Sequence, residues 1–296
     1  MELLKNCPAC ESESLKPLFI AKDYFLTEEE FSVVQCDKCK LRFTNPRPGF
    51  NEIMKYYDSS EYISHDTSYK SILTIIYTVA RNFMLKKKYS IVRKYSKGEN
   101  ILDVGCGSGE FLNYCKSKGS NTFGVELNDK PREFARKSYG LEIREKLSDF
   151  PETEFAFDCI TLWHVLEHIH DLNETMNLLQ QRLNPGGLLV IALPNFASWD
   201  AEHFHRFWAA YDLPRHLYHF NADVFKNFAS KHNYKILKIL PQKLDSFYIS
   251  LISEKYMHGK SNLLKAFILG AYSNLAARKE GRGHSSLIYI LSKDSA

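Results

Sequence analysis

The amino-acid sequence predicts an α/β fold with a mostly parallel sheet of seven strands. From residue 100 onward, short apolar runs alternate with stretches of helical periodicity, as in sheets whose parallel strands are joined by helices. A glycine-rich turn at 105–109 follows the first of these apolar runs directly. Two closely spaced cysteine pairs lie within residues 1–48 and predict a separate small module there.

Length and composition suit one large domain preceded by a small module. The chain has 296 residues, 44% of them hydrophobic and 14% aromatic, which is enough for a sizeable core. We predict the module at 1–48, a connector with lid helices at 49–98 and the main domain at 99–296. The net charge of +4 is too small to indicate a nucleic-acid partner by itself. Without a signal-peptide pattern or an apolar run of transmembrane length, we expect a cytoplasmic protein.

Residues 1–48 have the cysteine spacing of a zinc ribbon. Cys7 and Cys10 form one C-x2-C pair, and Cys36 and Cys39 form another. Each pair can present two thiolates from one tight turn, and the two pairs together complete a tetrahedral zinc site. Two disulfides are the alternative, which the lack of a secretion signal disfavours. Because the pattern offers no open position, we expect the zinc to be structural.

Between this module and the main domain, the sequence predicts a tyrosine-rich connector and a long helix. The connector includes Tyr62 and Tyr69, and the helix extends from about 69 to 95. Residues 81–97 contain seven basic side chains and no acidic one. Two interpretations stay open: a lid helix with a solvated basic face, or a helix that contacts an anionic substrate or a membrane surface.

From residue 100 the predicted elements alternate between strand and helix. The predicted strands are 100–104, 121–126, 141–144, 157–163, 188–193, 235–240 and 287–291, and the predicted helices are 109–118, 130–137, 172–183 and 223–231. Two stretches interrupt this alternation, at about 194–221 and 245–285. Since α/β folds bind ligands in the loops at strand ends, we interpret both stretches as substrate-loop insertions.

The turn after the first predicted strand has the chemistry of a ligand site. Gly105, Gly107 and Gly109 place no Cβ atoms between a polar ligand and the backbone N–H groups of the turn. Glu126 ends the next apolar run, where an acid can accept hydrogen bonds from ribose hydroxyls. The G-x-G-x-G spacing differs from the G-x-G-x-x-G spacing of dinucleotide sites. Together these features predict a nucleoside cofactor that is not a dinucleotide.

Three motifs resemble class I S-adenosylmethionine (SAM) methyltransferases. They are D-V-G-C-G-S-G at 103–109, F-D-C-I-T-L-W-H-V-L-E-H at 157–168 and L-N-P-G-G-L-L-V-I-A-L-P-N at 183–195. With the four cysteines, the chain is similar to a subgroup that has an N-terminal zinc ribbon. The resemblance implies a Rossmann-like, mostly parallel seven-stranded sheet and SAM as the methyl donor.

The resemblance also implies a set of donor-binding residues. In the family, the acid before the glycines and the turn after the fourth strand contact the methionine end of SAM, and backbone after the third strand contacts its adenine. The implied residues are Asp103, Gly105, Cys106, Gly107, Gly109, Glu126, Leu127, Leu147, Trp163 and His164. The run His164-x-x-Glu167-His168 also fits the H-x-x-E-H pattern of inverted zinc proteases. That alternative requires both histidines on an exposed helix, whereas these follow an apolar strand.

The first insertion contains candidate catalytic residues. Residues 204–220 are dense in histidine, arginine and aromatic side chains, and D-L-P-R-H-L-Y-H-F within them resembles a segment of zinc-ribbon-bearing methyltransferases. His168 and His216 are the favoured general bases because histidine titrates near neutral pH, and Tyr211 is a further candidate. Arg215 could hold an anionic group by a two-pronged contact. An interface loop with packed aromatic side chains stays open as the alternative.

These features predict a SAM-dependent methyltransferase with a small-molecule substrate, and a carbohydrate or nucleotide-sugar acceptor is favoured. One alternative is an RNA methyltransferase, because some rRNA guanine methyltransferases also carry a zinc ribbon. The seven basic and eight acidic side chains up to residue 47 disfavour it. A non-catalytic SAM-binding protein is the other alternative. The apolar stretch 263–269 is expected to cover the substrate mouth or to form a homo-oligomer contact.

Overall fold

A computed structural model describes residues 1–57, 72–151, 155–279 and 283–294 of the chain. Tyr62 and Tyr69 of the predicted connector lie outside the described residues. The strands are β1 (Leu15–Lys22), β2 (Glu30–Cys36), β3 (Arg42–Thr44), β4 (Asn100–Val104), β5 (Asn121–Val125), β6 (Glu142–Arg144), β7 (Phe157–Trp163), β8 (Leu183–Pro194), β9 (Tyr218–His219), β10 (Tyr234–Pro241) and β11 (Ser286–Lys293). The α-helices are α1 (Ile72–Tyr95), α2 (Glu110–Ser117), α3 (Asp129–Tyr139), α4 (Leu172–Arg182), α5 (Trp199–Phe204), α6 (Ala222–Lys231), α7 (Asp245–His258) and α8 (Leu263–Lys279).

The larger sheet has seven strands in the order β10-β11-β8-β7-β4-β5-β6. The strands from β8 to β6 in this order pair in parallel, while β11 is antiparallel to both of its neighbours. The predicted α/β fold with a mostly parallel, Rossmann-like seven-stranded sheet is therefore confirmed. The carboxyl ends of the parallel strands form one edge, where open α/β sheets bind their ligands.

The predicted element boundaries agree closely with the structure, except at β8. This strand begins at Leu183, which pairs with Phe157, and its next partner pair is Leu188 with Cys159. The run from 184 to 187 therefore bulges out between two paired segments. Gly187 is required there, because a Cβ atom would lie 2.9 Å from two backbone carbonyl oxygens. The residues left between the helix predicted to 183 and the strand predicted from 188 thus interrupt the strand rather than precede it.

Two hydrophobic cores cover the two faces of this sheet, as expected for parallel strands that are buried on both sides. Ile101 and Leu102 are adjacent in β4, but they belong to different cores. Helices α1, α2 and α3 contribute to the core that contains Ile101. Helices α4 and α6 share the other core with side chains of the N-terminal residues, including Phe43.

The N-terminal residues form a smaller, four-stranded sheet in the order β1-β2-β3-β9. The fourth strand does not come from the N-terminal module, because β9 lies within the insertion predicted at 194–221. Arg42 pairs with His219, and Phe43 pairs with Tyr218. The zinc-ribbon-like residues and the first insertion thus share one sheet and one core.

Arg215 adds a buried polar connection between these two parts. Its side chain is 3% exposed, and it donates to both carboxylate oxygens of Asp212, at 2.6 and 3.0 Å. It also donates to Asp23, a fully buried residue of the N-terminal module, at 3.0 Å, and to the carbonyl oxygen of Tyr56. The sequence suggested that Arg215 holds an anionic ligand, but the carboxylates that it holds belong to the protein.

Helix α8 packs against α7, which it approaches closely at Gly270. A Cβ atom at this position would lie 2.8 Å from the Cα atom of Phe247. The side chains of Leu263, Leu264 and Ile268 are more than half exposed. Among the described helices, none is long and apolar enough to cross a membrane. A homo-oligomer contact through α8 stays a prediction.

Replacing Arg215 by leucine is expected to lower the free energy of unfolding by about 3–5 kcal/mol, because it leaves the buried carboxylate of Asp23 without its cation. Urea unfolding followed by circular dichroism measures the change. Arg278→Leu, on the exposed surface of α8, is the control, with an expected change within about 0.5 kcal/mol. Equal losses in the two variants would contradict a buried ionic connection.

Candidate active site

The glycine turn between β4 and α2 has the backbone conformation that its sequence predicts. Gly105, Gly107 and Gly109 have φ angles of +70°, +54° and +75°, which side-chain-bearing residues rarely adopt. The N–H groups of Gly105 and Cys106 both donate to the carbonyl oxygen of Val125, at 2.7 and 3.0 Å. The turn is therefore fixed against the end of β5.

Glu126 and Gly107 form the part of the turn that can accept a ligand. The Glu126 carboxylate accepts hydrogen bonds from the N–H groups of Gly107, at 2.8 Å, and Asn128, at 2.9 Å. Each oxygen retains a lone pair for a further donor, such as a ribose hydroxyl. A Cβ atom at Gly107 would meet no atom within 4 Å. This open space above the backbone, next to a carboxylate, fits the nucleoside part of SAM.

Asp103 lies at the same edge of the sheet but is almost fully buried, at 4% exposure. Burial raises the pKa of its carboxyl to about 7, although the Thr161 hydroxyl and the Lys88 ammonium oppose this rise. The Thr161 hydroxyl donates to Asp103 at 2.6 Å. The carboxyl is thus able to gain or lose a proton near neutral pH.

Helix α1 covers this site with two basic side chains. Arg81 donates to Glu110, at the start of α2, at 2.6 Å. The Lys88 ammonium lies 4.8 Å from the ring centre of Trp163. Burial lowers the pKa of Lys88, while the carboxylates of Asp103, Asp245 and Glu110 act in the opposite direction. The indole N–H of Trp163 is buried without a hydrogen-bond partner among the described residues, so it too can donate to a ligand. No signal in the sequence indicated Lys88, because it is one of three consecutive lysines and periodicity could not single it out.

His164 follows β7 directly and has a strained φ angle of +59°. Its Nε2 atom lies 3.2 Å from a carboxylate oxygen of Asp245, and its Nδ1 atom lies 3.4 Å from one of Glu167. Burial disfavours the charged ring, but the two carboxylates outweigh this effect and raise the pKa of His164 to about 10. Because Asp245 begins α7, the second predicted insertion also contributes to this edge.

His168 and His216 lie together, with ring centres 4.6 Å apart. The Nδ1 atom of His168 lies 3.0 Å from the Arg215 carbonyl oxygen and 2.8 Å from the Tyr57 hydroxyl. The Nδ1 atom of His216 lies 2.9 Å from the Ala210 carbonyl oxygen. Burial and the neighbouring His216 lower the pKa of His168 to about 4, so its ring is neutral at pH 7.

A cleft of about 810 Å³ opens between the N-terminal sheet and the first insertion. Its lining includes Phe19, Arg42, Phe196, Arg206 and Tyr211. The Arg42 guanidinium lies 4.0 Å above the Phe196 ring and donates to the Tyr211 hydroxyl at 3.2 Å. Because Phe196 follows the end of β8, the cleft lies at the ligand-binding edge of the sheet.

Comparison with known proteins identifies the family. A family model described as a methyltransferase domain matches residues 80–239, more than half of the chain. The chain belongs to this methyltransferase family. Its fold is that of the class I, SAM-dependent methyltransferases.

Similar proteins include ubiquinone biosynthesis O-methyltransferases. That of Actinobacillus pleuropneumoniae serotype 7 is 31% identical over 109 residues, which cover 33% of this methyltransferase and 47% of the relative. That of Vibrio cholerae is 28% identical over 154 residues, which cover 49% and 60% of the two chains. The methyltransferase thus spans about half the length of the curated relatives it matches.

Two solved structures show the same fold. A SAM-dependent methyltransferase from Archaeoglobus fulgidus has a TM-score of 0.50 and 20% identity, with 72% of this chain and 94% of that chain covered. A putative sarcosine dimethylglycine methyltransferase from Galdieria sulphuraria has a TM-score of 0.50 and 10% identity, with 73% and 86% covered. At these identities the comparison supports the fold alone.

The four N-terminal cysteines of the methyltransferase lie together, as their spacing predicts. All four sulfur atoms are within 4.8 Å of one another, with Cys7 and Cys39 at 3.5 Å and Cys10 and Cys36 at 3.6 Å. The hydrogen bond between the first pair raises the pKa of Cys7 and lowers that of Cys39 to about 5. Thiolate sulfurs bound to one zinc ion at 2.3 Å would be about 3.8 Å apart, so the cluster fits a tetrahedral metal.

The remaining predicted donor-binding residues are brought to the same edge or close to it. Cys106 is buried in the turn, and burial raises the pKa of its thiol. Leu127 is 43% exposed beside Glu126. Leu147 is buried in a 3-10 turn after β6, where its backbone could contact the adenine of the donor. Their roles in donor binding stay predictions.

Replacing Asp103 by asparagine is expected to stabilise the protein increasingly as pH rises. In the wild type the folded-state pKa is raised to about 7, so stability falls between about pH 4 and pH 7, where the unfolded chain releases a proton that the folded chain retains. The variant lacks this titration. The difference in Tm between variant and wild type should therefore grow from pH 5 to pH 8, equivalent to at most roughly 3 kcal/mol.

Thermal unfolding at a series of pH values measures this difference. Asp129→Asn serves as the control, because the Asp129 side chain is 83% exposed and its replacement removes no buried charge. A difference for Asp103→Asn that is constant between pH 5 and pH 8 would contradict the raised pKa.

Proposed function

We propose that this methyltransferase transfers the methyl group of SAM to a hydroxyl of a small molecule, with a carbohydrate or nucleotide-sugar as the favoured acceptor. The observation that carries this proposal is the cleft between the N-terminal sheet and the first insertion. Its volume of about 810 Å³ is in the range of small-molecule sites. The similarity to O-methyltransferases of ubiquinone biosynthesis supports an oxygen acceptor.

The chemistry of the cleft suits an acceptor that has both a ring and an anionic group. Phe19 is a partly exposed aromatic side chain in the lining, and Arg206 is an exposed cation at the wall. Arginine binds phosphate in a two-pronged geometry, and aromatic faces stack on sugars and bases. A nucleotide-sugar combines these features.

The donor would be held by the residues of the glycine turn. In this proposal Glu126 accepts hydrogen bonds from ribose hydroxyls, and Asp103, Trp163 and Lys88 contact the methionine end. SAM supplies an electrophilic methyl group when it is bound. The chain contributes alignment of the acceptor with that methyl group, which accounts for most of the acceleration in such displacements. The hydroxyl proton is removed at the His168–His216 pair.

We further propose that the four-cysteine cluster holds zinc in a structural role. Each cysteine pair spans a turn in which the residue after the second cysteine has a positive φ angle, at Glu11 and at Lys40. The N–H group of each of these residues donates to the carbonyl oxygen of the first cysteine of its pair, at 2.8 and 2.9 Å. The two turns thus present four sulfurs and leave no position open for a substrate.

Gly107→Ala is expected to weaken the affinity for S-adenosylhomocysteine at least tenfold, since the added methyl group enters the open space beside Glu126. Gly119→Ala is a matched control, because both glycines have positive φ angles, +54° and +88°, and both have free space around a Cβ atom. Both variants should lose about 1–2 kcal/mol of stability through backbone strain. Isothermal titration calorimetry separates the effects, and equal affinity in the two variants would remove Gly107 from the donor site.

Methyl-labelled SAM incubated with the enzyme and fractionated cell extract tests the acceptor class. The label is expected in the small-molecule fraction, in species that anion exchange retains and phosphatase treatment alters. The Gly107→Ala enzyme should transfer much less label. Arg206→Met should reduce transfer at low acceptor concentration but not at saturating concentration, because the arginine contributes to acceptor binding.

Two outcomes would contradict the proposal. Label that ribonuclease releases would indicate an RNA methyltransferase. Tight binding of S-adenosylhomocysteine without transfer to any fraction would indicate a non-catalytic SAM-binding protein.

A further inference from the structure

The side chain of Glu167 is buried, and burial by itself disfavours a charged carboxylate. Its side chain is 1% exposed, and neither carboxylate oxygen accepts a hydrogen bond from the residues that the structure describes. The nearest cationic candidate, His164 Nδ1, is 3.4 Å away, beyond the 2.7–2.9 Å of a charge-assisted hydrogen bond. Buried carboxylates without partners are costly and rare, and a bound ion is one of the few explanations for them.

Two imidazole rings complete a candidate ligand set around this carboxylate. One carboxylate oxygen of Glu167 and one ring nitrogen each of His168 and His216 lie within 4.8 Å of one another. A carbonyl oxygen faces the Nδ1 atom of each ring. Because a carbonyl only accepts, each Nδ1 carries the proton and each Nε2 retains a lone pair. Metal-bound histidines are oriented in this way by their second nitrogen.

We propose that Glu167, His168 and His216 bind a divalent transition-metal ion, with zinc as the first candidate. Two imidazoles and one carboxylate suit Zn²⁺, and also Fe²⁺ or Co²⁺. Ligand atoms bound tetrahedrally at 2.0–2.2 Å to one ion are about 3.4 Å apart. The observed separations of up to 4.8 Å therefore have to close by about 1 Å through side-chain rotation when the ion binds.

This site differs in kind from the four-cysteine cluster. Four sulfurs close a tetrahedral site, whereas three protein ligands leave at least one position for an oxygen ligand. The competing account is a plain ion pair between protonated His164 and Glu167. Asp245 and Glu167 face different nitrogens of the His164 ring, so both contacts exist together, but the Glu167 contact of 3.4 Å is too long for a charge-assisted hydrogen bond and involves only one carboxylate oxygen.

The role of the ion rests on the proposed function. Because both histidines then serve as ligands, the ion replaces them in removing the hydroxyl proton: the hydroxyl oxygen of the acceptor occupies the open position, where the ion lowers the pKa of the hydroxyl and its proton passes to water. The oxygen then attacks the methyl carbon. As the new C–O bond forms, the C–S bond breaks, and its electrons leave with sulfur as neutral S-adenosylhomocysteine. The acceptor class is thus narrowed to molecules with a hydroxyl that can bind the ion, and vicinal oxygens would bind it best.

The site is tested by Co²⁺ binding to the full-length protein after its metals have been stripped with a chelator. Ions bound to the cysteines absorb strongly through sulfur-to-cobalt charge transfer, and ions bound to nitrogen and oxygen do not. We expect the wild type to bind a second ion beyond the cysteine-bound one, with elemental analysis giving the stoichiometry. Glu167→Gln and His216→Ala should bind the second ion at least tenfold more weakly and keep the charge-transfer band.

His258→Ala is the control, because His258 is a half-exposed histidine on α7 outside the cluster. It should keep both ions. Thermal unfolding of Glu167→Gln, which preserves the side-chain shape, verifies that the variant is folded.

A wild type that holds only the cysteine-bound ion at saturating Co²⁺ would overturn the proposal and leave the ion pair of His164 and Glu167 as the explanation. Loss of the second ion in His258→Ala would overturn it as well. Titration with S-adenosylhomocysteine and the methyl-transfer assay are read separately. Metal binding without methyl transfer would count against the proposed function alone, and methyl transfer without a second ion would count against the metal alone.

Discussion

The guanidinium of Arg215 is buried among the carboxylates of Asp23 and Asp212 and connects the N-terminal sheet to the ligand-binding edge of the main domain. The same residue also sets the geometry of that edge, because its carbonyl oxygen orients His168 and its sequence neighbour is His216. A buried ionic connection of this kind contributes little net stability compared with an apolar one, but the loss of one partner is costly. The positions of His168 and His216 therefore depend on the ion pairs of Arg215.

The buried charged groups at the ligand-binding edge include more acids than bases, which favours a cationic ligand. Asp103, Glu167 and Asp245 are the acids next to the basic groups of Lys88 and His164. Burial acts against the charged form of every one of these groups. A sulfonium donor would bring a positive charge to this edge, and the acids would stabilise that charge. Keeping the acids buried there lowers the stability of the folded protein. The cleft beside this edge is different in character, with arginines and aromatic rings.

The sequence predicted the seven-stranded sheet and the glycine turn well, because apolar periodicity and glycine spacing are local signals. It placed the four cysteines together, because their spacing reflects a local turn. It could not predict β9, since a strand of two residues has no periodicity, nor the contact of Lys88 with Trp163, since three consecutive lysines are equivalent in sequence. The buried carboxylate of Glu167, which accepts no hydrogen bond from the described residues, was also hidden, because burial is a property of the packed chain.

The pairing of β3 with β9 also has a consequence for the order of events during synthesis. The N-terminal hairpin is synthesised before β9, and the edge of its sheet stays open until Tyr218 and His219 have been made. An unpaired edge is a template for association with other chains, and closing so long a loop is slow compared with local folding. Early metal capture by the cysteine turns would hold the hairpin in shape while it waits. The last strand of the N-terminal sheet thus couples its completion to the assembly of the ligand-binding edge.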